Sequence, residues 1–144
     1  MDTLTGLSLY DVSRTAGCQS NPATNVYCYI QAAAQSDPSD LYFYQLLSGC
    51  PIPNNTEPSC SSCTKSLMNL YVSTISGQEG VEDDNVRSAL AIAYAPAAHI
   101  AVGVCGNDFA QTIALKGSGT RGLSLSLSSL WFAFLVGCIS VVMF

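Results

Sequence analysis

Apolar side chains recur three and four positions apart over much of the first 105 residues, the spacing of one face of an α-helix, and this predicts a mainly helical domain. Residues 3–15 carry Leu4, Leu7, Tyr10 and Val12 at that spacing and end near Gly17, a natural stop. Asn21-Pro22 marks a turn, after which Thr24 can cap a second helix over 25–34 with Val26, Tyr29, Ile30 and Ala33 as its apolar stripe, ended by Pro38. Residues 40–47 (DLYFYQLL) fit a strand or a helix equally well by period, and 48–58 form a proline-rich loop. A third helix is expected from Ser59, its hydroxyl accepting from the Ser62 amide, to about Ile75. On it Cys60, Cys63, Leu67, Leu70 and Thr74 share one face, which directs both cysteines inward. A last helix is capped by Asp83 or Asp84, carries Val86, Leu90, Ala93, Ala97, Ile100 and Val104, and ends at Cys105-Gly106. Pro96 is expected to kink or split it, because proline removes a hydrogen bond and clashes with the preceding turn. There are no internal repeats.

The pattern changes after residue 113. A small-residue stretch (Gly117, Ser118, Gly119, Thr120) leads into a serine-rich spacer, and 130–144 is an apolar run to the end of the chain. The division expected is therefore a helical ectodomain over 1–113, a spacer over 114–129 and a hydrophobic tail over 130–144. That order is the one a GPI-attachment signal needs: small residues at the cleavage site, a polar spacer, then an apolar segment held in the membrane until it is cut away. With Ser118 as attachment residue the spacer is eleven residues, 119–129; Gly117 and Gly119 are the alternatives. A permanent membrane helix is the competing reading, since 123–144 is uncharged and about 20 residues cross a bilayer. Against it, Ser124, Ser126, Ser128 and Ser129 crowd its first positions, and nothing basic follows Phe144 to hold a cytoplasmic end.

The tail also explains the composition. The chain is 49% hydrophobic and 10% charged, which is too apolar for a soluble domain of its length until the tail is set aside. All ten acidic residues lie at or before Asp108, against Arg14, Lys65, Arg87 and Lys116 up to Gly117. An acidic domain with no cluster of Lys or Arg excludes nucleic acid as the main partner.

Six cysteines precede the tail (Cys18, Cys28, Cys50, Cys60, Cys63, Cys105), with Cys138 inside it. An even set in a short domain predicts three disulfides and an oxidising compartment. Connectivity is left open, although Cys60 and Cys63, one helical turn apart, are expected to take separate partners. Asn54-Asn55-Thr56 is a glycosylation acceptor in a loop bracketed by Pro51, Pro53 and Pro58, consistent with secretion. The N-terminus carries no basic region followed by an apolar run, so the expectation is that a leader and further sequence lie upstream of Met1.

No constellation specifies a reaction. Cys60-x-x-Cys63 at a helix start could lower a thiol pKa, yet the strand–turn–helix setting of redox sites is absent and a structural bridge is the better reading. Zinc needs four compatible ligands, and the chain has one close cysteine pair and a single histidine. That histidine, His99, sits in an alanine-rich helix with no nucleophile elbow anywhere in the chain. Asp83-Asp84 reads as a helix cap, and Tyr42-Phe43-Tyr44 as core before a sugar-stacking surface. No catalytic, cofactor or metal residue is assigned.

Tyr27-Cys28, the run Ser39 to Leu46 (SDLYFYQL), Pro51-Ile52-Pro53, Pro58-Ser59-Cys60-Ser61-Ser62-Cys63-Thr64 with Leu67-Met68, and Tyr94 with Cys105-Gly106 together form a pattern. It resembles the C-terminal half of an uncharacterised cysteine-rich domain of filamentous-fungal proteins with a signal peptide and a GPI-type tail, over about residues 4–113. It departs at Leu47, where that family tends to carry proline, and at Cys50. The resemblance implies a secreted surface location and a further cysteine-rich half upstream, and it supplies no activity. The function expected is that of a non-enzymatic, GPI-anchored surface or cell-wall protein, held to the membrane by lipid anchor or tail and binding a wall polysaccharide or a surface protein. The alternatives are a fragment of a secreted enzyme whose catalytic residues lie upstream, and a tail-anchored membrane protein.

Overall fold

The computed structural model of the chain describes residues 8–78 and 81–113. Among the described residues there are five α-helices: α1 Tyr10–Cys18, α2 Cys28–Ala33, α3 Ser39–Tyr44, α4 Ser62–Ile75 and α5 Asp84–Cys105. A 3-10 turn, Gln45–Ser48, extends α3. The single β-contact among them is an isolated antiparallel bridge, Ser20 to Tyr27, closing the α1–α2 connection. The mainly helical, disulfide-stapled domain with a long proline-rich loop is therefore the fold observed. The spacer and tail calls, Gly117, Ser118 and Gly119 among them, lie outside the described residues.

The core forms where α4 packs along α5. Leu67, Met68 and Tyr71 from α4 meet Tyr94, Ala97, Ala98 and Ala101 from α5, all fully buried. The alanines on that face leave room for the larger α4 side chains. Phe43 and Leu46 fill one end, and Val12 and Ala16 bring in α1. Each large apolar side chain so buried contributes about 1.5 to 3 kcal/mol. α5 is long and apolar enough to cross a membrane by length and composition; in this fold one face of it, Val86 to Ala101, is buried in the core, and it is N-capped by Asp83, whose carboxylate accepts from the Asn85 amide at 2.8 Å.

Several element ends differ from the expectations. α2 begins at Cys28, three residues later than the Thr24 cap implied, because Asn25 takes a left-handed φ of 56° and Tyr27 is held by the bridge to Ser20. Its buried side is Cys28 and Ala32, one turn apart, so the stripe of Val26, Tyr29, Ile30 and Ala33 faces outward; Ile30 is 55% exposed. α4 starts at Ser62, capped by Ser61, whose Oγ accepts from the Thr64 amide at 3.2 Å. Ser59 is occupied elsewhere, and Cys60, at φ 54°, stands before the helix, so only Cys63 joins the face of Leu67, Leu70 and Thr74. α5 is not split: it runs through Pro96, an exposed position bracketed by the buried Tyr94, Ala95, Ala97 and Ala98. Their burial offsets the roughly 3 kcal/mol that an interior proline costs. The segment of ambiguous period is helical, because Phe43, Leu46 and Leu47 turn inward at three- and four-residue steps. α4 ends at Gly77, φ 76°, where a Cβ would lie 2.8 Å from Nη1 of Arg87; only glycine fits without moving that side chain.

Candidate functional site

Two bridges tie the loop before α4 and its first turn to distant elements. Cys28 of α2 is bonded to Cys63 of α4, and Cys60 to Cys105 at the end of α5. Cysteines three residues apart thus reach different elements: Cys63 fastens α2, and Cys60 fastens the α5 terminus. Cys50 is bonded as well. Cys18, expected in a bridge, is instead a free, exposed thiol. The buried positions of α1 are Val12 and Ala16, and Cys18, two residues past Ala16, falls about 200° around the helix from it, on the side away from the core.

Beside Cys63 lies the densest polar cluster. Asp40, 4% exposed, accepts from the Ser59 amide at 2.9 Å and from the Ser59 hydroxyl in a short contact, pinning the end of the proline-rich loop to α3. Ser39 Oγ accepts from the Glu57 amide at 3.3 Å and holds the same loop one step earlier. Tyr71, fully buried, donates to the Phe43 carbonyl at 3.0 Å, and the ring of Tyr44 stands edge-on to Tyr29, centroids 5.2 Å apart. Burial pushes the Tyr44 phenol up to about 12, with the Asp40 charge and Tyr29 adding to it. Tyr71 is held well above the ordinary phenol range by burial and then by Tyr44, and Tyr94 is raised to about 12 by burial. These phenols stay neutral at physiological pH. Tyr71 and Tyr94 donate to the Phe43 and Gln111 carbonyls, while the buried Tyr44 hydroxyl has no hydrogen-bond partner among the described residues and serves as a packing group.

The residues weighed for chemistry do not converge. His99 is exposed on α5, Asp83 caps that helix, and Asp84 pairs with Arg87 on the surface. Phe43 is wholly buried, while Tyr42 and Tyr44 are half-buried, so the aromatic run is mainly core. Asn54 is exposed at a turn in the loop, whereas the hydroxyl of Thr56 is buried without a partner. Among the described residues no group of three or more His, Cys, Asp or Glu is placed to hold a metal ion.

What composition and spacing did not single out is a polar groove along the outer edge of α4. It is formed by Lys65, Asn69, Ser73 and Ser76 on the helix and by 107–112 after α5. The signal was present in the sequence as a polar residue every three or four positions opposite the apolar stripe of α4, but that is also how any solvated helix face reads.

A protein family described as a domain of unknown function (DUF7729) matches residues 1–114. No curated protein and no solved structure matches the chain.

Proposed function

The chain belongs to the DUF7729 family, a domain of unknown function, and on that premise we propose that it is a non-enzymatic surface domain attached to the outer membrane leaflet or cell wall through a GPI anchor. The observation that carries the proposal is the order of the C-terminal sequence: the family match ends at residue 114, and the small residues, serine-rich spacer and apolar run of a GPI signal follow directly. Support for an oxidising compartment comes from Cys28–Cys63 and Cys60–Cys105, each joining elements far apart in sequence. The resemblance to secreted fungal surface proteins, and the exposed Asn54 as a glycosylation acceptor, agree with that location.

The domain's role is to present a binding surface to a wall polysaccharide or a surface protein. Its test is lipid-specific release. The protein, expressed with a functional leader, leaves the membrane fraction on treatment with phosphatidylinositol-specific phospholipase C if a GPI anchor holds it, whereas a spanning helix keeps it there.

A further inference from the structure

We propose that the groove along α4 is a binding site for a neutral oligosaccharide; the inference rests on the surface-domain reading above and names its ligand class. The groove consists of two hollows, of about 810 and 480 Å3, that share Asn69 and Gln111 as lining residues. The larger falls within the range of about 300 to 1,000 Å3 typical of small-molecule sites. Two joined hollows suit a chain of rings better than one compact molecule.

One wall is a helix edge. Lys65, Asn69, Ser73 and Ser76 follow one another along α4 at steps of four, four and three residues, which places them on one side of the helix. The other wall is the segment after α5, and its anchoring is strong. Phe109 and Ala110 are buried at 7% and 6% exposure, the Phe109 amide donates to the Gly106 carbonyl at 3.1 Å, and the Tyr94 hydroxyl reaches from the core to the Gln111 carbonyl at 2.8 Å. Cys105, directly before this segment, is fixed to Cys60. A wall held at this many points loses little freedom when a ligand binds, which removes a cost that open loops incur.

The lining selects the ligand. Asn69, Gln78, Asn107 and Gln111 each carry a donor and an acceptor on one side chain, matching sugar hydroxyls that are both, while the Ser73 and Ser76 hydroxyls donate to the Leu70 and Ser73 carbonyls and keep lone pairs to accept. Among the described lining residues the charges are Lys65 and Asp108, one of each sign. The groove therefore lacks the cationic cluster that phosphate or an acidic polymer requires, and the anionic one a basic peptide requires. Val72 and Val102, both half-buried, supply apolar surface for the carbon faces of the rings.

The test uses the purified full chain in detergent, titrated with laminarihexaose, chitohexaose and mannohexaose as neutral probes and with hexagalacturonate as the anionic control. Side-chain amide resonances of Asn69 and Gln111 report the site by NMR. One neutral hexasaccharide shifts both signals at up to millimolar concentration, and the double variant Asn69→Ala/Gln111→Ala, both exposed positions, loses at least about tenfold in affinity, or about 1.4 kcal/mol. The variant melts at the wild-type temperature, which separates a lost contact from a lost fold. The proposal is overturned if no neutral hexasaccharide shifts these signals, if hexagalacturonate binds equally well, or if the double variant retains its affinity. Phospholipase release is scored on separate material, so a failed groove leaves the anchor reading standing, and a failed anchor leaves the groove result intact.

Discussion

Reduction of the bridges is the perturbation whose size the structure sets most directly. Cys28–Cys63 closes a sequence separation of 35 residues and Cys60–Cys105 one of 45. If each bridge acts by restricting the unfolded chain, loop-closure entropy gives about 3.8 kcal/mol for the first and about 4.0 kcal/mol for the second at 25 °C. The two loops overlap at 60–63, so their contributions add incompletely and about 8 kcal/mol is an upper bound for both. A domain of this size has roughly 5 to 15 kcal/mol in total. Loss of one bridge should therefore lower the melting temperature by roughly 15 to 30 °C, at about 4 to 8 °C per kcal/mol for a domain of about 100 residues. Loss of both should leave the chain largely unfolded at room temperature. The assay is far-UV circular dichroism through a thermal ramp on the wild type, on Cys28→Ala/Cys63→Ala, on Cys60→Ala/Cys105→Ala, and on the wild type in strong reductant. Cys28 and Cys63 are buried at 2% and 7% exposure, so alanine there also leaves a small void, and that variant should fall slightly further than its loop length alone implies. A thermal transition unchanged by reductant would refute the reasoning.

Alkylation of the native protein followed by peptide mapping should label Cys18 and leave Cys28, Cys60, Cys63 and Cys105 unlabelled; label on any of those four would contradict the pairing. Asp40→Ala should destabilise by about 1 to 3 kcal/mol in urea melts, because it strands the Ser59 amide, while Asp40→Asn keeps an acceptor and should cost less. Tyr71→Phe should cost only about 1 kcal/mol, since the Phe43 carbonyl retains the Gln45 amide as a partner. In alkaline titration Tyr44 and Tyr94, raised to about 12, and Tyr71, raised well above the ordinary phenol range, bind their protons more tightly folded than unfolded. Their contribution is complete below the ordinary phenol range near 10 and is lost as pH rises through about 12. Absorbance at 295 nm should show these three ionising late and together with unfolding; ionisation of all seven tyrosines near pH 10 in a still-folded chain would sink this.

The helical class and most helix extents were legible because apolar spacing in α4 and most of α5 tracks burial, although Tyr10 of the α1 stripe and Val104 of the α5 stripe lie exposed. Leu67, Leu70 and Thr74 face inward as their steps require, and so do Val86, Leu90 and Ala97. What spacing could not reach is orientation set from outside a helix. On α2, Tyr29, Ile30 and Ala33 outnumber Cys28 and Ala32, yet the bond from Cys28 to Cys63 turns Cys28 and Ala32 to the core and leaves the larger stripe in solvent. Cys60 illustrates the same limit. Its position three residues before Cys63 suggested a shared helix face, but the partner at Cys105 holds it outside α4 in a left-handed conformation that cysteine seldom adopts. Pro96 was read by its intrinsic cost, and tertiary packing of the alanines around it prevailed. The groove was missed because its pieces, an α4 edge and a segment about 40 residues later, are brought together only by the core and by Tyr94 reaching Gln111.

The central claim, that this domain is carried on a lipid anchor in place of a membrane span, is tested most directly at the C-terminus of the mature protein. The chain, expressed with a functional leader, is purified from cell membranes and its C-terminal peptide is sequenced by mass spectrometry. The account predicts a peptide ending at Gly117, Ser118 or Gly119 with a glycolipid remnant attached, and no peptide from 131–144. A mature protein whose C-terminal peptide still contains Trp131 and Phe144 would contradict it.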